Sequence, residues 1–351
     1  MKSRKGMVWP AILIVLALAV FFNRGRIHFD WAIFWMQLRH VSWVHIAAGT
    51  ALIYATFWLR SARWSVFLSS TKKVSPFVLV GPQFIGFTAV ALFGRLADVI
   101  RPALVARRVQ LSISSQVAVY TIERMFDLGA AALIFSGALL FARDQPHHEI
   151  FVHTGLLSLG LTALIAVFVV LIRVAGGAVA RVAGATLGWL SKPIGESVAQ
   201  KIRGFREGLD AISSAQDFVA VSLISLAMWG MIGCAYVETL HAFVDTPELA
   251  TISFSRTMLL MGASLGGSLL QLPVIGWFTQ IAVTAAAMHE FYGAPIEAAT
   301  ACGALLLVVT FLCIIPTGLI FARIEHVSLK KIATESGAVE PVSTSNSDLS
   351  G

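Results

Sequence analysis

Charge is scarce in this chain, and its scarcity excludes most of what a protein of 351 residues can be. Asp, Glu, Lys and Arg make up 13% of the residues against 57% hydrophobic ones, and the mean hydropathy is +0.80. A water-soluble fold cannot hide that much apolar surface, so the composition specifies an all-α polytopic membrane protein. Cysteine is nearly missing as well. Cys234, Cys302 and Cys313 lie in apolar stretches without a C-x-x-C pair, which excludes a disulfide framework and a metal site built on thiolates. His147, His148 and His153 have no ligand spacing, so no metal is assigned, and nothing in the chain calls for a cofactor. No serine nucleophile elbow, acyltransferase-type His-Asp pair or metal-ligand pattern is visible, which speaks against an enzyme. No small-x-small cleavage site follows the basic Lys2-Ser3-Arg4-Lys5 and the apolar residues 8–22, so this segment reads as an uncleaved first transmembrane helix.

What is present is a surplus of Lys and Arg, with a net charge of +7. In a soluble protein this would point to nucleic acid; here it points to basic cytoplasmic loops and anionic lipid head groups, with no nucleic-acid partner. Apolar windows fall near 8–22, 42–59, 77–97, 115–141, 155–172, 217–240, 254–275, 277–289 and 298–322. Taking both termini as cytoplasmic and helix 42–59 as returning inside, Arg60, Arg63, Lys72 and Lys73 follow as a cytoplasmic loop. A full crossing by 77–97 would put Arg101, Arg107 and Arg108 outside, against the positive-inside rule; a segment that enters and turns back keeps them inside. Gly81, Pro82, Gly86 and Gly94 weaken a helix there and mark the turn. The same logic makes 254–289 a second hairpin entering from outside and breaking at Pro273 and Gly276. The expected architecture has about six to eight transmembrane helices and two re-entrant hairpins in an inverted pseudo-repeat, with most of the 26 Lys and Arg inside. Ordinary kinked spans are the alternative, since glycine and proline are common in membrane helices.

Helical spacing of Ile27, Trp31, Phe34, Trp35 and Leu38 behind a capping Asp30 predicts an amphipathic helix lying in the membrane plane or packing on the bundle rim. A second one is expected in a cytoplasmic connector at about 176–214, and a disordered cytoplasmic tail at 326–351, so that 1–325 form the transmembrane domain.

Ionisable residues inside apolar segments cost a few kcal/mol each or more and usually face a partner or a wet cavity, roughly as intramembrane sites do. Glu123, Arg124 and Asp127 sit within 115–141, and Glu123 and Asp127, four apart, share a helix face. One arginine between two carboxylates leaves a net charge of −1, which Arg101 or Arg95 on the hairpin could balance. Such a trio either binds a charged head group and relays a proton, or locks hairpin to helix as a structural ion pair. Arg95, Asp98 and Arg101 bracket the hairpin mouth, where guanidinium forks suit phosphate oxygens. Gln271 and Gln280 flank the second break and can bond a ligand or satisfy broken backbone. Gly262-x-x-x-Gly266 reads as a helix-packing motif.

Gly94-Arg95-Leu96-Ala97-Asp98-x-x-Arg101, a short basic loop and Glu123-Arg124-x-x-Asp127 together resemble the membrane region of lysylphosphatidylglycerol synthases, a family whose members without the synthase domain are called flippase-like. The family pattern runs P-G-[RK]-x-G-E-x-x-R and then E-R-x-x-D; Phe93, Ala97 and Asp98 depart from it, while Arg101, Glu123, Arg124 and Asp127 match. A later family element, P-x-P-G-G-x-G-x-x-E, keeps only Pro273 and Gly276 here and has Gln280 where the glutamate would fall. The resemblance covers most of residues 8–325 and leaves no room for a soluble synthase domain. It implies a plasma-membrane protein that moves lipids with anionic or amine head groups between leaflets; the alternative is a scaffold subunit for an envelope-synthesis enzyme. Oligomeric state is not legible in the sequence.

Overall fold

A computed structural model describes residues 29–141, 148–192, 195–199, 214–267 and 275–327, and the described residues are mostly helical, with no strand among them. The expected first span at 8–22, most of the connector beyond 192 and the tail from 328 lie outside them. Helix α1 (Trp31–Arg39) starts where the Asp30 carboxylate accepts hydrogen bonds from the Ala32 and Ile33 amides, as its position predicted. It buries Phe34, exposes Trp31 and Trp35, and meets α2 (Trp43–Leu68) at 75°.

Helix α2 does not stop at residue 59. Ile46, Ile53, Phe57, Arg60, Trp64 and Phe67 follow one another at helical spacing and are all buried, so the apolar face continues straight through the arginines. Arg60 and Arg63 are therefore interior side chains of a helix about 39 Å long at roughly 1.5 Å per residue, and the cytoplasmic-loop reading of them is corrected.

The next segment forms a helical hairpin. Helix α3 (Pro76–Phe93) leads to a 3₁₀ turn (Arg95–Val99), and α4 (Ile100–Val109) returns. The Lys72 ammonium donates to the Val109 carbonyl at 2.9 Å, which ties entry and exit to the same face of the molecule. The turn lies at Gly94 alone, whose φ of 78° strains any L side chain. Gly81, Pro82 and Gly86 sit inside a continuous helix, contrary to expectation. Pro82 forfeits one backbone hydrogen bond, which a packed membrane helix tolerates, and the two glycines serve close approach. A Cβ on Gly86 would lie 2.6 Å from the Arg101 Cβ, and one on Gly81 would strike the Glu325 carboxylate.

Helix α5 (Ile113–Leu140) crosses to the opposite face, and α6 (His148–Leu190) returns, breaking helical geometry at Ala175 where the connector begins. Helix α7 (Ala215–His241) runs antiparallel to α2: Ser225 meets Arg63, and Glu238 meets His45 at 2.7 Å. After the short α8 (Pro247–Ala250), α9 (Phe254–Gly267) and α10 (Ile275–Tyr292) form the second hairpin. Its limbs are antiparallel, since the Tyr292 hydroxyl donates to the Arg256 carbonyl at 2.9 Å and the Gln280 amide donates to Ser264 Oγ at 3.1 Å. A Cβ on Gly262 would lie 2.9 Å from the Phe135 ring, so this glycine packs α9 on α5. Pro273 and Gln271 fall outside the described residues. The last crossing is α11 (Ile296–Leu307), a π turn (Val308–Leu312) and α12 (Ile315–Ile324).

The two hairpins enter from opposite faces, which is the inverted order the topology argument demanded. The first shares a face with Leu68, Ile113 and Ile324; the second shares one with Trp43, His241 and Ile296. Among the described residues three helical stretches are long and apolar enough to cross a membrane, 76–93, 215–241 and 296–324, with the bent α1–α2 pair a fourth. Helix α5 carries three charges in its middle, and these build the site.

Candidate functional site

Three elements bring six charged groups together at one depth. Arg60 and Arg63 project from α2, Glu123, Arg124 and Asp127 from α5, and Arg101 from the first turn of α4. Arg63 has no exposed surface and forks between both carboxylates, with Nη2 at 2.6 Å from Glu123 and Nη1 at 2.7 Å from Asp127; Nη1 also donates to Ser225 at 2.7 Å. Arg101 reaches Glu123 from the hairpin at 2.8 Å and donates to Gln83 at 3.1 Å. Its guanidinium is caged by rings, 4.9 Å from the Phe87 centroid and 5.0 Å from Tyr120. The Trp64 indole N–H closes the shell of Glu123 at 2.9 Å. Glu123 is thus the keystone joining α2, α4 and α5, and it accepts from three donor side chains.

Arg124 and Arg60 are held less completely. Arg124 Nη2 lies 3.0 Å from Asp127, and Arg60 Nη1 lies 3.9 Å from both carboxylates, outside hydrogen-bond range. Among the described residues, the buried donors without a hydrogen-bond acceptor include Nε and Nη1 of Arg60, Nε of Arg124 and the indole N–H of Trp229, and also Nε of Arg63, Nε of Arg101 and Nε2 of Gln83. Buried donors left unbonded cost about 1–3 kcal/mol each, more when charged, so an acceptor brought to them would be stabilising. Arg60, Arg124 and Trp229 belong to the wall of a cavity of about 260 Å³.

That cavity lies between the turn of the first hairpin and the start of the returning limb of the second. Gly94 of the first and Gly276 of the second both line it, and Arg60, Arg124 and Asp127 form its charged side. Trp229, Tyr236 and Gln280 are its neutral polar lining, and the Tyr236 hydroxyl and the Gln280 amide both bond Ser264 at 3.1 Å. Four guanidiniums therefore face two carboxylates. The anticipated net −1 of the trio is reversed, because Arg60 and Arg63 were assigned to a loop and Arg101 joins as well.

Of the other sequence candidates, Asp98 accepts a hydrogen bond from Tyr120, whose ring sits between Arg101 and Arg124. Even with Asp98 included, cations exceed anions. Arg95 contributes backbone to the 3₁₀ turn, and its side chain lies outside the described set, as does Gln271. Sequence reasoning missed Arg60, Arg63, Trp64, Gln83, Ser225, Trp229 and Tyr236. The phase of Arg60 with Ile53, Phe57, Trp64 and Phe67 was a usable signal, with Arg63 one turn beyond it; an isolated Trp or Ser in an apolar run carries none.

The chain matches the family described as Lysylphosphatidylglycerol synthase TM region over residues 8–324. No curated protein and no solved structure matches it.

Proposed function

Because the chain belongs to the lysylphosphatidylglycerol synthase TM region family, we propose that it is a transporter that carries a phosphate-bearing lipid between the leaflets of the plasma membrane. The observation that carries this reading is a cavity with two guanidiniums in its wall, lined by Gly94 of one hairpin and Gly276 of another that enters from the opposite face. Interrupted apolar segments meeting at mid-membrane are how many secondary transporters build a substrate site reachable from either side. Guanidinium groups suit phosphate oxygens, and the excess of positive charge awaits an anion. In this scheme Arg60 and Arg124 receive the phosphate, and Asp127 holds Arg124 in place. The Arg63–Glu123–Arg101 clamp keeps the first hairpin seated. Glu123 is too thoroughly bonded to bind an amine or exchange a proton, so the phosphate half of the original alternative is preferred. Lys72, Lys73, Arg107 and Arg108 flank the mouth of the first hairpin, and on the positive-inside rule that face is cytoplasmic.

The test is a proteoliposome assay with phospholipids fluorescently labelled on the acyl chain, reading leaflet exchange by chemical quenching from outside. Wild type is expected to accelerate exchange over protein-free vesicles, and the Arg60→Gln, Arg124→Gln pair to abolish the acceleration. If wild type and the double variant exchange every lipid at the protein-free rate, transport is refuted, and capture of an envelope-synthesis enzyme would then be the property to measure.

A further inference from the structure

We infer that the second hairpin, α11 and α1 form one body that rocks against the rest of the bundle on a joint in the last crossing. The motion opens the cavity toward the outer face, a role that rests on the transport reading above. Packing divides the chain in this way. Helix α10 lies against both α9 and α11, and α1 packs on α11. Helix α2 lies against α3 and α7, α12 packs on α3, and the Glu123 clamp holds α4 to α5. The division cuts across the inverted pseudo-repeat, since α1 goes with the second hairpin while α7 and α12 stay with the first. Among the described residues three connections lead into the moving body: the 75° bend between α1 and α2, the stretch around α8, and the π turn Val308–Leu312.

Contacts within each body differ in kind from those across the seam. A Cβ on Gly303 of α11 would lie 3.2 Å from the Ile281 carbonyl oxygen, and one on Gly318 of α12 would lie 2.7 Å from that of Phe84. Inside each body, then, backbone meets backbone. Across the seam a Cβ on Gly233 would meet the Met258 side chain at 2.8 Å, and one on Gly262 the Phe135 ring at 2.9 Å. Close-packed backbones cannot slide without a clash, whereas a thioether and a ring adjust by changing rotamer. The Tyr236 hydroxyl latches the seam by donating to Ser264 at 3.1 Å, and Gln280 bonds Ser264 from within its own body. The cavity is the seam itself: Arg60 and Arg124 line it from one body, Gly276 and Gln280 from the other, and Thr310 and Phe311 from the joint. π turns are rare and mark places where a helix bends. The Cys313 N–H donates to the Val308 carbonyl at 2.8 Å, one residue beyond α spacing, and Pro316 offers the Leu312 carbonyl no N–H. From α2 the Tyr54 hydroxyl donates to the Cys313 carbonyl at 2.9 Å, so the break is supported from outside its own helix. A turn of about 15° at this joint moves the far end of α11, 12 residues and about 18 Å long, by about 5 Å.

The experiment puts spin-label pairs on the full chain, its native cysteines replaced by serine or alanine, in nanodiscs of phosphatidylcholine and phosphatidylglycerol. Distances are read by double electron–electron resonance. Phe291→Cys with Phe141→Cys spans the seam at the outer face. Phe291→Cys with Trp35→Cys stays inside the moving body and Phe141→Cys with Leu223→Cys inside the other, and all four positions are exposed. The spanning pair is expected to show two populations about 5 Å apart, and each internal pair one. Tyr236→Phe, which leaves Ser264 its bond from Gln280, is expected to shift the spanning pair about threefold toward the wider population, as loss of one neutral hydrogen bond allows. Deleting Leu312, which converts the π turn to α-helix, is expected to leave a single population. Should that chain fail to fold, Pro316→Ala returns a donor to the Leu312 carbonyl and is expected to narrow the spread. A spanning distance as narrow as the internal ones in both wild type and Tyr236→Phe overturns the joint. So do internal pairs that spread as widely as the spanning one, or two populations that survive the variants of the π turn. Two populations without exchange of any lipid uphold the joint and refute transport instead.

Discussion

Glu123→Gln removes one charge and no volume, and its consequence can be worked out from the site. Glu123 is fully buried between Arg63 at 2.6 Å, Arg101 at 2.8 Å and the Trp64 N–H at 2.9 Å. A unit charge pair 4 Å apart at an effective dielectric near 20 is worth about 4 kcal/mol, and two such pairs are lost together. Relief from the desolvation of Glu123 offsets part of this, and breaking a buried pair by removing one partner costs about 3–5 kcal/mol net. The glutamine oxygen can still accept from one arginine, so the lower half of that range is expected. The assay is unfolding of the purified chain in a denaturing-detergent titration followed by tryptophan fluorescence, run on Glu123→Gln, Arg101→Met and the double variant. Removing both partners also removes the stranded charge, so the double variant should be more stable than additivity requires, by about 0.5–3 kcal/mol. A Glu123→Gln chain within about 1 kcal/mol of wild type, or strictly additive costs, would show that this clamp does not seat the hairpin.

Four further outcomes follow from the same geometry. Gly86→Ala sets a Cβ 2.6 Å from the Arg101 Cβ and 3.2 Å from its Cα, so the hairpin limbs must part; a loss of about 1–3 kcal/mol is expected in thermal unfolding. Gly129→Ala, where nothing lies within 4 Å, should be neutral or slightly stabilising in the same measurement. Arg63→Lys replaces a fork that reaches Glu123, Asp127 and Ser225 with a single ammonium, and loss of even one charged hydrogen bond should cost about 1.5–3 kcal/mol in denaturing-detergent titration. Glu325, just past the end of α12 and half-buried against Gly81, has its carboxyl pushed above the usual range by burial, with Arg108 opposing. A raised carboxyl favours the fold when protonated, so this contribution is present at low pH and fades as pH rises through the raised value. The melting temperature of Glu325→Gln should therefore match wild type in acid and exceed it increasingly toward neutral pH; a gap independent of pH would contradict the assignment.

How far the site was legible in the chain depended on local contrast. Glu123, Arg124 and Asp127 stand out because their neighbours are apolar on both sides, and their spacing alone puts the two carboxylates on one face. Arg60 and Arg63 have the same chemistry, but an apolar window drawn to residue 59 put them outside the helix, where positive charge needs no explanation. Their burial depends on α5 presenting carboxylates to α2, a contact between residues 60 or more positions apart. The position of the first turn was misjudged for a related reason. Gly81, Pro82, Gly86 and Gly94 look alike as helix breakers, and only packing separates them: two glycines admit Glu325 and Arg101, the proline is tolerated, and Gly94 alone takes a positive φ.

The sequence by itself determined the membrane environment, the all-helical class, the inverted order of the two hairpins and the presence of buried charge. Each of these follows from composition, from periodicity or from the distribution of basic residues, which are local or summed properties. The sign of the site was decided only by the tertiary structure. Three arginines from α2 and α4 join the trio of α5 and turn an expected deficit of positive charge into an excess, beside a cavity that Gly94 and Gly276 line. Electrostatics in a medium of low polarisability depends on distances of a few ångströms between distant segments, and no reading of one segment supplies them.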